Sequence, residues 1–274
     1  MMKHRIGLYE KGLPEAWPWS RKLDSAKGIG FDFMEIAIDH APERLGRLDW
    51  TDQEKNNLRQ AISDSGIPIF NVVLSAHRTW PFGSASADVR HKAIEIGKKA
   101  VDFAAAIGIR CIQIAGYFVF DEPHTSQSRG YFIDGLSQTA DFAASAGVML
   151  GLENMDGEDV ISLRTALAIT TEINNPWLKL YPDVGNLAAN QLDVEAELKL
   201  ATGQLVGVHL KDTQVGVYRR VPYGGGITPF KQVAETLCQI GYHGPVTLEM
   251  WNDDADDSLE TVTQSLNWIQ EQFK

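Results

Sequence analysis

Eight short runs of this chain are apolar almost end to end, and between them the apolar residues follow a longer rhythm. The runs are Ile6–Tyr9, Phe33–Ile38, Ile67–Leu74, Cys111–Tyr117, Val148–Asn154, Leu178–Val184, Leu205–Asp212 and Val246–Trp251. A strand with one wet face alternates; a run without alternation suits a strand covered on both faces, as in a parallel sheet flanked by helices. Between the runs, apolar positions step by three or four: Val89, Ala93, Ile96, Ala100, Phe103 and Ile107 in one segment, Leu259, Val262, Leu266, Ile269 and Phe273 in the last. That spacing lays an apolar stripe along one side of a helix. Gly66, Gly108, Gly147 and Gly241 each precede a following strand, where glycine readily takes the left-handed turn that ends a helix. The repeated order of strand, helix and glycine predicts an α/β fold, a (β/α)8 TIM barrel, with residues 1–274 as a single domain. An open doubly wound sheet would normally carry a Gly-rich phosphate turn after its first strand. Ile6-Gly-Leu-Tyr-Glu-Lys-Gly-Leu-Pro14 is not such a turn.

Four of the runs close on an ionisable group: Leu150-Gly-Leu-Glu153, Leu180-Tyr-Pro-Asp183, Val206-Gly-Val-His209 and Val246-Thr-Leu-Glu249. An unpaired charge behind a buried strand is costly. Any one of the four, taken alone, serves equally as an ion-pair partner inside the barrel. Together they occupy equivalent places on strands five to eight, at the C-terminal rim where barrel active sites lie. Three carboxylates and one imidazole make an oxygen-rich shell for a divalent ion, with Mn, Zn, Co and Mg all compatible.

Composition narrows the partners. The chain has 36 acidic and 25 basic residues, a formal net charge of -11. That balance argues against a nucleic-acid surface, which needs a net basic face. No apolar run approaches the roughly 18 residues of a membrane helix. Met1-Met-Lys-His-Arg-Ile6 runs into the first strand without a signal-peptide core, so the expectation is a cytoplasmic protein with no membrane partner. Cys111 and Cys238 sit in apolar settings with no C-x-x-C and read as two buried free thiols.

Longer motifs carry a resemblance. Gly7-Leu-Tyr-Glu-Lys11, Gly30-Phe-Asp-Phe-Met-Glu35, Arg47-Leu-Asp-Trp50, Leu74-Ser-Ala-His-Arg78 and Ile114-Ala-Gly-Tyr117 cover the first half. Leu180-Tyr-Pro-Asp-Val-Gly-Asn186, Val208-His-Leu-Lys-Asp-Thr213, Val221-Pro-Tyr-Gly-Gly-Gly226 and Glu249-Met-Trp251 cover the second. With these the chain resembles the xylose-isomerase-like barrels and, within them, the L-ribulose-5-phosphate (L-xylulose-5-phosphate) 3-epimerases. It departs slightly at Leu152-Glu-Asn-Met-Asp156, where the family often follows Glu with an apolar residue.

The resemblance implies a metal-dependent 3-epimerase interconverting L-ribulose 5-phosphate and L-xylulose 5-phosphate through an enediolate. It implies Glu153 and Glu249 as the acid/base pair and as ligands with Asp183 and His209. It also suggests a homodimer. Asn186 is either a hydroxyl-binding residue or a turn residue. Lys211, two past His209, points the same way along a regular strand, toward the developing charge or a carboxylate. Glu35 suits a supporting or ion-pair role. For the phosphate, Ser75, His77 and Arg78 offer donors after strand three, and Gly224 and Gly225 offer backbone N–H groups before a helix; the glycines are equally a flexible connection. Arg219 and Arg220 read first as exposed loop charges, with a reach to the phosphate as the alternative. Tyr9, Trp17, Trp19, Trp80, Tyr117 and Trp251 gather near the rim and would exclude water, or simply pack.

Three other readings remain. The same metal site fits an epimerase or isomerase of free ketoses. An apurinic endonuclease-like hydrolase would need more metal ligands and a basic face, against seven histidines and a charge of -11. The third is a non-catalytic sugar-binding barrel.

Overall fold

The computed structural model describes residues 4–251 and 258–274; Met1–Lys3, part of the N-terminal reading, lie outside them. Eight strands appear where the apolar runs predict them: β1 (Ile6–Tyr9), β2 (Phe33–Ile38), β3 (Ile69–Leu74), β4 (Cys111–Ala115), β5 (Met149–Glu153), β6 (Leu178–Leu180), β7 (Val208–Leu210) and β8 (Val246–Leu248). They form one sheet in the order β6-β5-β4-β3-β2-β1-β8-β7, and every ladder is parallel. The two ends of that order meet through the bridges Leu180–Leu205 and Asp183–His209, so the sheet closes on itself as a TIM barrel.

Helices fill the intervals, among them Ala87–Ile107, Ser128–Ala146, Phe230–Gln239 and Ser258–Gln272. The predicted stripes face inward: Ala93, Ile96, Ala100 and Phe103 are buried, as are Val262, Leu266 and Ile269, whereas Leu259 is exposed. Gly66, Gly108, Gly147 and Gly241 all take positive φ, between 65° and 93°, the conformation that closes a helix without a Cβ clash.

The last three strands fall furthest short of their apolar runs. In β6 the cause is Pro182, which has no N–H to give the ladder. Just beyond it Asp183 caps a short helix, Val184–Ala189, by accepting from the Asn186 N–H. β7 ends at Leu210, just before Lys211, and β8 at Leu248, just before Glu249. One thiol also differs from expectation: Cys111 is buried, but Cys238 is exposed, on the outer side of its helix.

The barrel interior is partly polar. Glu35, Asn71, Gln113, Tyr181, His209 and Thr247 are all buried. Tyr181 lies across the interior because two strands lack side chains beside it. A Cβ on Gly207 would come within 2.3 Å of its ring, and one on Gly151 within 3.0 Å.

Candidate metal and active site

Glu153, Asp183, His209 and Glu249 converge. Each offers one ligand atom, all within 4.8 Å of one another, and all four residues are buried. Four donors around an ion at about 2.0–2.6 Å would span such a distance.

Local structure aims each group. Glu153 ends β5 and its Oε2 accepts from Gln113 Nε2 at 2.5 Å, which leaves Oε1 2.7 Å from His209 Nδ1. The other ring nitrogen, Nε2, lies 2.9 Å from Glu35 Oε2. Asp183 commits Oδ1 to the Asn186 N–H at 2.9 Å and turns Oδ2 to Lys211 Nζ at 2.6 Å. The backbone of Asp183 is held by a side chain: Asn154 Oδ1 accepts from its N–H and Asn154 Nδ2 donates to its carbonyl, both at 2.9 Å. The amide thus continues the pairing where the strand has ended. Glu249 hydrogen-bonds its N–H to Leu210 O at 2.9 Å, and its Oε2 accepts from Lys211 Nζ at 2.8 Å.

Four carboxyl groups therefore surround one imidazole and one ammonium. Burial alone would lower both cations, but the Glu35 and Glu153 carboxylates raise His209 well above its ordinary value. Asp183, Glu249 and Glu153 likewise raise Lys211 against its burial. Burial raises Glu153 against the pull of His209. It also pushes Asp183 up to about 7, with Glu249 and Glu153 adding to the shift and Lys211 opposing it. Glu249, despite its burial, is held well below the usual range by Lys211 and His209. A divalent cation would offset the surplus of negative groups, and the donor set is hard oxygen plus one imidazole nitrogen. The residues fit such an ion.

The mouth carries aromatic and cationic groups. Tyr9 and Trp251 meet edge to face at 6.3 Å, with Lys211 Nζ 5.6 Å from the Trp251 ring. Arg78 NH2 donates to Tyr117 OH at 3.2 Å, its guanidinium lies over Tyr117 and Phe120, and its buried Nε has no hydrogen-bond partner among the described residues. Tyr117 OH donates to Asp156, which also faces Arg219 at 3.4 Å. Arg219 thus reaches this cluster. Trp17 stacks instead on Arg21, and Trp19 lies by Lys22 and Arg47. A cavity of about 420 Å³ lined by Lys211, Glu249, Trp251, Tyr223, Arg220 and Trp268 adjoins the cluster.

Two phosphate expectations need correction. His77 is buried against Phe82, with ring centroids 4.1 Å apart, and its Nε2 pairs with Ala93 O at 3.0 Å. Burial lowers it to about 4, so it is a neutral packing residue, turned into the protein. The Gly224–Gly226 loop does cradle an anion, but the anion is Asp212. Gly224 N–H and Gly226 N–H donate to its Oδ2 at 2.8 and 3.0 Å, while Gly225 N–H donates to Pro222 O. Ser75 lies at the end of β3, half-buried, and Asn186 is buried with its Oδ1 unpaired among the described residues.

Gln113, Asn154, Tyr181 and Thr247 were not singled out from sequence. Tyr181 and Thr247 each stand two residues before a member of the candidate metal cluster, the strand period that puts side chains on one face. That spacing was the available signal.

This fold and this site define the class, and a family model describing the xylose isomerase-like TIM barrel matches residues 23–272. L-ribulose-5-phosphate 3-epimerase UlaE from Shigella boydii serotype 18 is 42% identical over 264 residues, 96% of this chain and 93% of that protein. The enzyme of the same name from Escherichia coli O157:H7 has the same identity and coverage. Among solved structures, D-psicose 3-epimerase from Clostridium cellulolyticum H10 superposes with a TM-score of 0.84 at 16% identity, covering 98% of this chain and 99% of that one. An L-ribulose 3-epimerase gives 0.80 at 18%, covering 99% and 95%; these two likenesses speak for the fold. The chain belongs to the L-ribulose-5-phosphate 3-epimerase family, and is a carbohydrate epimerase.

Proposed function

We propose that the protein is a metal-dependent 3-epimerase interconverting L-ribulose 5-phosphate and L-xylulose 5-phosphate. The observation that carries this is the convergence of Glu153, Asp183, His209 and Glu249 in a chain 42% identical to enzymes named for that sugar phosphate. The divalent ion, with Mn, Zn, Co and Mg compatible, would stabilise negative charge developing on the sugar oxygens next to C3.

The chain's own residues do the rest. One of Glu153 and Glu249 removes the C3 proton and the other returns one to the opposite face, since inversion through a planar enediolate needs proton access from both sides. Gln113 limits the rotation of Glu153, and Lys211 limits that of Glu249. Asn186 is proposed to accept from a sugar hydroxyl through its unpaired Oδ1. Arg78, with a spare donor at Nε, is proposed to meet the phosphate together with Ser75; His77, Gly224 and Gly225 drop out of that role. The Tyr9–Trp251 pair would help exclude water. Cytoplasmic location and a homodimer remain part of the proposal, resting on the sequence reading and the family.

The test is incubation with each 5-phosphate in heavy water. Conversion with solvent deuterium entering at C3 is expected. Conversion without deuterium would overturn the two-carboxylate scheme, and no conversion of either sugar would overturn the substrate. Arg78→Ala should reduce use of the phosphorylated ketopentose more than use of the free one; equal losses would remove Arg78 from the phosphate site.

A further inference from the structure

We infer that Glu35, on β2, is a positioning residue that fixes His209 for metal binding. The inference rests on the metal-site reading above. Glu35 is fully buried, inside the barrel rather than at its mouth, and does not belong to the four-residue cluster. Its Oε2 takes His209 Nε2 at 2.9 Å. Its Oε1 accepts from Thr247 Oγ1 at 2.8 Å and from Tyr181 OH. Both carboxylate oxygens are thus occupied by contacts from β7, β8 and the segment after β6, none of which pairs directly with β2.

The support around Glu35 is built into three strands. The β2–β3 register shifts between Met34 and Glu35, as a bulge does when it re-aims a side chain. Gly151 and Gly207 leave the space in which the Tyr181 ring lies, and that ring also packs on the imidazole, with centroids 4.8 Å apart. His209 is therefore clamped at Nε2 by a hydrogen bond and at its face by an aromatic ring. Its Nδ1 is the nitrogen left toward Glu153 and the other ligands. An imidazole whose far nitrogen donates to a carboxylate binds metal through the near one with set tautomer and orientation. Thr247 and Tyr181 act one step further out, by holding the carboxylate that holds the ring.

The test uses metal-free full-length protein titrated with Zn2+ against a chromogenic chelator. It is paired with the visible spectrum of the Co2+-loaded protein and a thermal melt without metal. Glu35→Gln preserves volume, and its expected effect is a 10–100-fold weaker Kd with a shifted Co2+ spectrum. Tyr181→Phe leaves Glu35 in place and loosens it, so a smaller weakening, of roughly a few-fold, is expected on the same principle. A purely structural role would lower the melting temperature and leave both metal readouts unchanged. Wild-type Kd and spectrum in Glu35→Gln would overturn the inference. Should that variant fail to fold, unchanged values in Tyr181→Phe would do the same. A wild-type protein that takes up no Zn2+ would overturn the metal site itself.

Discussion

Replacing Asp212 by Asn should loosen the loop after β7 and lower stability substantially. Asp212 is buried and accepts four backbone N–H bonds: Gly224 and Gly226 on Oδ2 at 2.8 and 3.0 Å, Thr213 and Thr228 on Oδ1 at 3.0 and 3.2 Å. The change to Asn keeps the shape but converts one oxygen into an NH2 group. Whichever way the amide turns, two N–H donors then face another donor. A buried donor left unsatisfied costs about 1–3 kcal/mol, which puts the loss at roughly 2–6 kcal/mol for the pair. For a domain near this size each kcal/mol moves the melting temperature by about 2–4 °C, so a fall of roughly 4–24 °C is expected in a circular-dichroism melt. If the loop opens without the barrel, the effect will appear instead as faster proteolysis within 213–228. Gly226→Ala should act alike, since its Cβ would lie 2.2 Å from Asp212 Oδ1. A melting temperature within about 1 °C of wild type together with unchanged proteolysis would refute the reasoning.

Lys211→Met leaves Asp183 and Glu249 without their buried cation, so the metal-free protein should lose about 3–5 kcal/mol. The same variant should bind Zn2+ more tightly, because the competing ammonium is gone; weaker binding in a chelator competition would contradict this. His77 is lowered to about 4 by burial, so the unfolded chain binds the extra proton: its contribution is complete above about pH 6.5 and is lost as pH falls toward 4, by up to about 3 kcal/mol. Wild type should therefore lose stability relative to His77→Gln on acidification, and parallel pH curves would show otherwise. Glu153→Gln and Glu249→Gln should each keep the fold and lower epimerisation by about 10²–10⁴; near wild-type turnover in either would leave a single-base route.

The barrel was legible because its signals are local and repeated. Unbroken apolar runs, stripes stepping by three or four and glycines at positive φ each belong to one segment, and eight segments of one kind admit few architectures. The four residues of the candidate metal cluster stood out for a related reason: a charge at the end of a buried run has no local explanation. What escaped the sequence depends on partners distant along the chain. Nothing in Tyr223-Gly-Gly-Gly226 says that an anion already occupies its N–H groups, because that anion is Asp212. His77 stands beside Arg78 in sequence, yet a short 3-10 turn at Ala76–Arg78 sends the imidazole to Ala93 and the guanidinium to Tyr117.

The residues that set the site's geometry are the least visible in sequence, and the reason is physical. A ligand must sit at the barrel mouth, so it ends a strand and interrupts an apolar pattern. A residue that aims a ligand must sit beneath it, inside the sheet, where a polar side chain is tolerated only if its hydrogen bonds are met. Gln113, Asn154, Glu35 and Thr247 pair with one another's neighbours: Gln113 Nε2 on Glu153, though its Oε1 is unpaired among the described residues, Asn154 on the Asp183 backbone, Thr247 on Glu35, and Glu35 on His209. Each bond joins strands far apart in sequence, so the set becomes readable only once the barrel has closed. Closure itself runs through the same place, since the Asp183–His209 bridge both completes the sheet and brings two members of the candidate metal cluster together. Changes that disturb β6–β7 closure, such as Gly207→Ala with its Cβ 2.3 Å from Tyr181, should therefore weaken metal binding and barrel stability together, whereas a change confined to a ligand oxygen should separate them.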